Sequence, residues 1–304
     1  MTPTLLALMA ISSLAQTAPD PAPVPAEEPS VSETPPIRFD GQVTPQSAHY
    51  DLEQLYAANR FQDGLDETRS KIESSPNDAD LYWHAARFMF EIAETFDRKD
   101  ASIDRVAFYE EMLGLANTGL ELAPSDPHIR FARGVAAGRL GTTRGVLSSL
   151  WSAKGIEQDW LFTANSDFIY ASINGAEQLP CDANHALGIF YRLVPDSFIV
   201  QVLAGTRGSL TQSEAFLTRA NDACPHRIAT MKELAVTKIC RAGKKNDALR
   251  DEGKDLIRAY LKLPAEDEKD RIDHRHGQAL LDTPSIACGY SRDGQQDLDT
   301  RKLE

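Results

Sequence analysis

The chain has 304 residues, of which 42% are hydrophobic and 25% charged, enough apolar side chain to bury a core and too much for a wholly disordered chain. Its 45 Asp and Glu outnumber 32 Lys and Arg, for a net charge of −13, which excludes nucleic acid and anionic membranes as nonspecific partners. That length fits one large or two modest domains.

The first segment is an apolar stretch, Leu5 to Ile11, followed by Ser12, Ser13, Leu14 and Ala15. It reads as a signal peptide over 1–15, with cleavage after Ala15 and Ala18 as second choice. No Lys or Arg precedes Arg38, so the positive end of such a leader is missing. Leu5 to Ala15 is also too short to span about 30 Å of hydrocarbon as a helix, so no stable membrane insertion of the mature chain is expected. Residues 16–46 follow as a linker: Pro21, Pro23, Pro25, Pro29, Pro35 and Pro36 stand among acids with no helical apolar period. Proline fixes φ and withholds an amide donor, which predicts an extended, disordered tether. The expected location is therefore outside the cell's reducing interior, periplasmic or secreted if the source is bacterial.

From residue 47 the pattern is helical. In 79–94, Tyr82, Ala85, Ala86, Met89, Ile92 and Ala93 fall at offsets that share one face only in a helix, and Pro76-Asn77-Asp78 marks the start. After Pro124-Ser125-Asp126-Pro127, Ile129, Ala132, Ala136 and Leu140 repeat the period up to Gly141. After Pro225, Ile228, Met231, Leu234, Ala235 and Ile239 do so up to Gly243. Each is preceded by another amphipathic helix, over 64–74, 108–123 and 211–223. The last opens on Thr211-Gln212-Ser213-Glu214, which has the form of a capping box. Small residues, Ala86, Gly134 and Ala235 in first helices and Gly119 and Ala220 in second helices, allow axes to approach to about 8–10 Å. After Pro264 the chain turns polar, and Gln278 to Leu281 predicts a last capping helix in a segment that begins at about 263.

With helices in pairs, the chain resembles the tetratricopeptide repeat (TPR), a 34-residue helix–turn–helix unit closed by proline. Phe61 and Pro76 match the first unit; Tyr82, Ala85, Ala86, Leu122 and Pro124 the second; Gly134 the third; Gly208, Ala220, Pro225, Leu234 and Ala235 the last. Pro76 and Pro124 lie 48 residues apart, so the second unit carries an insertion that includes Asp97 to Asp100. With that insertion and the Leu120 to Pro127 run, the chain is similar to divergent repeat proteins of the regulator of microtubule dynamics family. The T component of tripartite acid (TRAP) transporters is a second likeness. In both, a middle stretch leaves the repeat and returns through a Gly-rich turn, as Pro195 to Gly208 does here. The resemblance, over roughly residues 47 to 262, implies an all-α, TPR-like helical-hairpin solenoid and no catalytic residue.

Four cysteines, Cys181, Cys224, Cys240 and Cys288, permit three pairings. Stacked helix pairs favour Cys181 with Cys224, at helix ends, and Cys240 with Cys288, tying the tail to a helix. No metal is expected, because Cys224-Pro225-His226 and His274-Arg275-His276 lack ligand-pair spacing. No cofactor is expected either. Gly205-Thr206-Arg207-Gly208-Ser209 has no Gly-Lys-Ser/Thr step and reads as an inter-helix turn, and no Gly-x-Ser-x-Gly elbow occurs. Glu110-Glu111 and Glu266-Asp267-Glu268 are adjacent rather than three or four apart, the pattern of solvated faces and not of an acid/base pair.

First helices line the concave side of a solenoid, which puts Arg87, Arg130, Arg133 and Arg139 there. Guanidinium forks suit carboxylates such as a peptide terminus, so Tyr82, Arg87, Arg130 and Arg133 are the candidate partner contacts. Ordinary helix-surface solvation with local acid pairing is the alternative for the arginines, and inter-helix packing for the aromatics Tyr82, Trp83, Phe88 and Phe90. The function expected is a non-catalytic scaffold that binds a protein or peptide. A small-ligand accessory of a transporter, lined by the Trp151 to Tyr170 region, is the alternative, and an enzyme with a noncontiguous site a third.

Overall fold

The computed structural model describes residues 42–96, 100 and 102–292, and for 146–149 the backbone alone. The leader, the tether up to residue 41 and the final twelve residues lie outside the described residues. The architecture is the expected all-α, TPR-like hairpin solenoid. Its helices are α1 (Tyr50–Ala57), α2 (Phe61–Ser74), α3 (Ala79–Glu94), α4 (Arg105–Leu122), α5 (Pro127–Arg144) and α6 (Val146–Ala164). A short hairpin follows, β1 (Tyr170–Ala171) and β2 (Gln178–Leu179), then α7 (Cys181–Leu193), α8 (Phe198–Ala204), α9 (Leu210–Ala223), α10 (Ile228–Ala242), α11 (Asp247–Tyr260) and α12 (Glu268–Asp282). A 3-10 turn, Pro284–Gly289, closes the described chain. Most helices pack chiefly on their chain neighbours; α9 takes the place of α8 beside α7, α8 lies on α6, α12 meets both α10 and α11, and α3 also reaches α5.

Helix starts follow from short polar side chains that satisfy orphan amides. Asp78 accepts from the Asp80 amide, Asp104 from Ala107 and Asp126 from Ile129, the last with Pro127 in the first turn of α5. The capping box expected at Thr211 is not used. Ser209 caps α9 by accepting from the Gln212 amide, because the Gly208 and Ser209 amides donate to the carbonyls of Pro195 and Tyr191 and pin the turn two residues earlier. Nor does Gly141 end α5: it is buried inside the helix, and the stop falls at Gly145, whose φ of 105° a glycine adopts readily. The chain also joins the fold earlier than its composition implies. Gln42 bridges Ala171, and the Val43 amide donates to the Ala171 carbonyl, so residues 42–46 are not all tether.

Two apolar clusters form the core. The larger runs from Leu52 on α1 to Phe216 on α9; the smaller joins Ile228, Val236, Ile239, Ile257, Tyr260, Leu280 and Tyr290 under α10–α12. The terminal segment is thus a packed layer rather than only a polar cap, since Leu280, Ala287 and Tyr290 are fully buried. Disulfides join Cys181 to Cys224 and Cys240 to Cys288, as the stacking argument anticipates. The first ties the start of α7 to the end of α9; the second ties α10 to the terminal turn.

Several close passes depend on missing side chains, among them one between helices at Gly134 and one in the return turn at Gly208. A Cβ at Gly134 would stand 2.4 Å from the Trp160 ring nitrogen, and one at Gly208 would stand 1.9 Å from the Val194 carbonyl oxygen. A ring can shift; a backbone oxygen in the return turn cannot. Gly134→Ala is expected to cost about 1–3 kcal/mol, the usual penalty of overpacking, and Gly208→Ala more, as read from urea midpoints. Reducing both disulfides, which close separations of 43 and 48 residues, is expected to cost about 2–4 kcal/mol per bridge in the same assay.

Candidate functional site

A cavity of about 1470 Å³ lies along the inner helices, walled by residues of α3, α5, α6, α7, α10 and α12. Its apolar lining includes Phe90, Phe131, Val135, Leu150, Ile189 and Leu210, all half-buried. The charged lining falls into two buried networks and a rim.

The first network centres on Arg87, in the middle of α3 and 6% exposed. Its Nη2 donates to Glu53 Oε1 at 2.9 Å, and its Nη1 to Tyr170 Oη at 2.6 Å and Glu177 Oε2 at 3.1 Å. The Tyr170 hydroxyl in turn donates to Glu53 at 2.9 Å. Arg87 Nη2 also faces His84 Nδ1 at 3.1 Å, which makes that nitrogen the acceptor. His128 sits 3.4 Å from the other Glu177 oxygen. The Trp83 ring is stacked between His84 and His128 at 3.7 and 3.6 Å, and the guanidinium lies 4.0 Å above the Tyr56 ring. Burial alone would neutralise Glu177, but the His128 hydrogen bond and the Arg87 charge hold its carboxyl at about 2. Burial, with the Arg87 charge alongside, drives His84 well below the ordinary histidine range.

The second network lies at the other end. Lys232, fully buried in α10, donates to Asp273 at 2.7 Å and lies 3.2 Å from Glu233. Arg192 of α7 pairs with Glu233 and donates to the Tyr290 carbonyl at 2.6 Å. Burial opposes the Glu233 charge, yet Arg192 and Lys232 hold its carboxyl at about 2. Between the networks, Glu157 accepts from the Tyr191 hydroxyl at 2.7 Å and the Thr206 hydroxyl at 2.9 Å. His185, which meets Thr230 at 3.1 Å, is pushed by burial to about 4.

The rim brings the two ends of the array together. Lys269 of α12 reaches Glu91 of α3 at 2.8 Å, and Arg292 lies 3.7 Å from Glu94, which also holds Arg139 at 2.7 Å.

Of the four expected contacts, Arg87 lines this cavity; Tyr82, Arg130 and Arg133 do not. Tyr82 is buried, its hydroxyl donating to the Pro76 carbonyl and its Cβ facing Gly119 of α4. Arg130 and Arg133 both bond the buried Asp159 of α6, so their forks are already filled. All three arginines are paired with acids, but with acids brought from other elements rather than local ones. Missing from the sequence-based set are Glu53, His84, His128, Tyr170, Glu177, Lys232, Glu233 and Asp273. One signal was present: Arg87 and the Lys232-Glu233 pair interrupt stretches apolar on every side, where a charge has to find a partner indoors.

Two other features lie apart from the cavity. Among the described residues, His49, Asp78 and Asp80 bring ligand atoms within 4.8 Å of one another. Asp78 there caps α3 and bonds His49 at 3.0 Å, which accounts for the grouping without a cation. On the outer surface, Trp151, Phe198, Ile199, Val202 and Leu203 are 54–78% exposed. No described helix is long and apolar enough to cross a membrane.

No family model matches the chain, and no curated protein matches it. Among solved structures, YrrB, described as a TPR protein with an unusual peptide-binding site, aligns at a TM-score of 0.37 and 14% identity, over 72% of this chain and 86% of that one. The fold assignment rests on the helices themselves.

Acid should unfold this protein in two overlapping windows. His84 and His185 stay neutral in the fold, so the unfolded chain binds more protons below its ordinary 6.5, and stability falls from there toward about 4 for His185. Glu177 and Glu233 contribute stability that is complete above 4.5 and lost as pH falls toward about 2. Thermal melts are expected to show Tm falling throughout from about pH 7 to 3, with a shallower slope between 6.5 and 4 for His185→Gln.

Proposed function

We propose that the protein is an exported, non-catalytic scaffold that holds a segment of another polypeptide in the cavity along its inner helices. The observation that carries this reading is size. At about 1470 Å³ the cavity exceeds the roughly 300–1,000 Å³ typical of small-molecule pockets, which favours a chain segment over the small ligand of a transporter accessory. The lining supports it too: half-buried apolar side chains form a floor, with polar groups at the edges, the usual anatomy of a peptide-receiving surface. Binding rather than catalysis is favoured because the buried charges of the wall are consumed by one another. In this reading Arg87 anchors the wall and is not a free contact. Export is supported by two disulfides that use all four cysteines, bonds that persist in oxidising compartments.

Ala186 is half-buried in the wall, where an indole would fill the cavity without altering charge. Peptides selected from a random display library on the unaltered protein are expected to lose binding to Ala186→Trp by at least about tenfold, while circular dichroism and Tm stay close to the parent's. Peptides that bind both proteins equally would show that the cavity is not the site.

A further inference from the structure

The charge of the cavity selects its occupant. Seven Lys and Arg line it, and each is already matched by a carboxylate of the chain: Arg87 by Glu53 and Glu177, Arg139 and Arg292 by Glu94, Arg192 by Glu233, Arg227 by Asp182, Lys232 by Asp273 and Lys269 by Glu91. Ten carboxylates share the same lining. Glu266, Asp267 and Asp270, at the start of α12, have no basic partner among the described residues. Either kind of ligand would exchange a pair at the rim, but only a basic one also meets carboxylates, those of Glu266, Asp267 and Asp270, that no cation of the described residues neutralises.

The rim shows how such a ligand would be held. Glu91 and Glu94 stand one turn apart on α3, facing the cavity beside the half-buried Phe90 ring. Each holds a cation from the far end of the chain, Lys269 and Arg292, and Lys269 lies 6.0 Å from the centre of the Phe90 ring. Glu91 thus holds Lys269, and Glu94 holds Arg139, over the Phe90 face, where a cation gains from the ring as well. These pairs differ from the buried networks. The Lys269 side chain is 42% exposed and that of Arg292 27%, against 1% for Lys232, although Glu91 and Glu94 are themselves 13% and 14% exposed and Arg292 also lies 3.5 Å from the buried Asp273. A pair whose cation is solvated costs less to exchange than one buried on both sides, and of the two rim pairs Lys269–Glu91 is the more open.

We infer that the cavity takes a basic, apolar polypeptide segment, whose Lys or Arg side chains replace Lys269 and Arg292 on Glu91 and Glu94 and whose further cations meet Glu266 and Asp270. This rests on the scaffold reading and adds the chemistry of the partner. The fit is opposite in sign to the carboxylate recognition that the arginines imply in the sequence alone.

The test uses three fluorescein-labelled peptides of about twelve residues, equal in Leu, Phe and Val and carrying Lys, Glu or Gln at the same four positions. Anisotropy titrations compare the full-length protein with Ala186→Trp, which has the same net charge and therefore exposes purely nonspecific attraction. The Lys peptide is expected to bind about tenfold more tightly than the Glu peptide, and to lose that binding on Ala186→Trp. Lys269→Gln, which removes the competing cation, should tighten it by about two- to fivefold, and Glu266→Gln should weaken it by a similar factor. Equal or tighter binding of the Glu peptide, lost on Ala186→Trp, would overturn the charge inference and leave the scaffold standing. Binding of the Lys peptide that Ala186→Trp leaves unchanged would overturn the inference as a surface effect. Weaker binding of the Lys peptide to Lys269→Gln would overturn the displacement at Glu91. If none of the three peptides binds, the inference and the scaffold reading beneath it both fail.

Discussion

A guanidinium buried on the inner wall of a helical array has to be met by carboxylates that the array itself delivers. Arg87 is met by Glu53 from α1 and Glu177 from the hairpin, 34 and 90 residues away in the chain. Removing a charge from water costs several kcal/mol, recovered only when the geometry is good and the remaining hydrogen-bonding capacity is filled. Tyr170, His84 and His128 do most of that filling, leaving the buried Arg87 Nε without a hydrogen-bond partner among the described residues. The requirement explains why a short β-hairpin interrupts an otherwise helical chain: it carries Tyr170 on one strand and sets Glu177 against the start of the other, both against α3. The parallel bridge from Gln42 to Ala171 then draws the beginning of the fold onto the same spot.

The same requirement operates at the other end, where Lys232, Glu233, Arg192 and Asp273 compensate one another across α7, α10 and α12. Between the two networks apolar side chains share the wall with the hydrogen-bonded Glu157 and His185, and across the opening the ends of the array meet through ion pairs. The interior charges are therefore enclosed and the rim cations more open to water. A charge pair in a low-dielectric interior is costly to break from one side, whereas a pair more open to water is worth less.

Much of the array was legible in the residues. The apolar spacing from Tyr82 to Ala93 marks α3, Asp126-Pro127 marks the start of α5, and Gly134 marks the close pass against α6. The disulfide pairing followed from helices laid in order. Errors arose where a distant segment moved a local boundary. Ser209 displaced Thr211 as a cap because carbonyls of Pro195 and Tyr191 hold the preceding turn, and α5 ran past Gly141 because that glycine packs inside. The hairpin left little trace, since each strand has only two residues.

The sequence by itself determined that this is a chain of paired amphipathic helices, because helical period, caps and breakers act over fewer than twenty residues and are written in consecutive side chains. It also carried the acidic balance and the number of cysteines available for crosslinks. Only the tertiary structure decided which charges are spent and which are free. Arg87, Arg130 and Arg133 look like open forks along the chain and become closed ones once Glu53, Glu177 and Asp159 arrive from other elements. A charge's availability depends on what lies within about 4 Å of it in space. No local pattern records that distance.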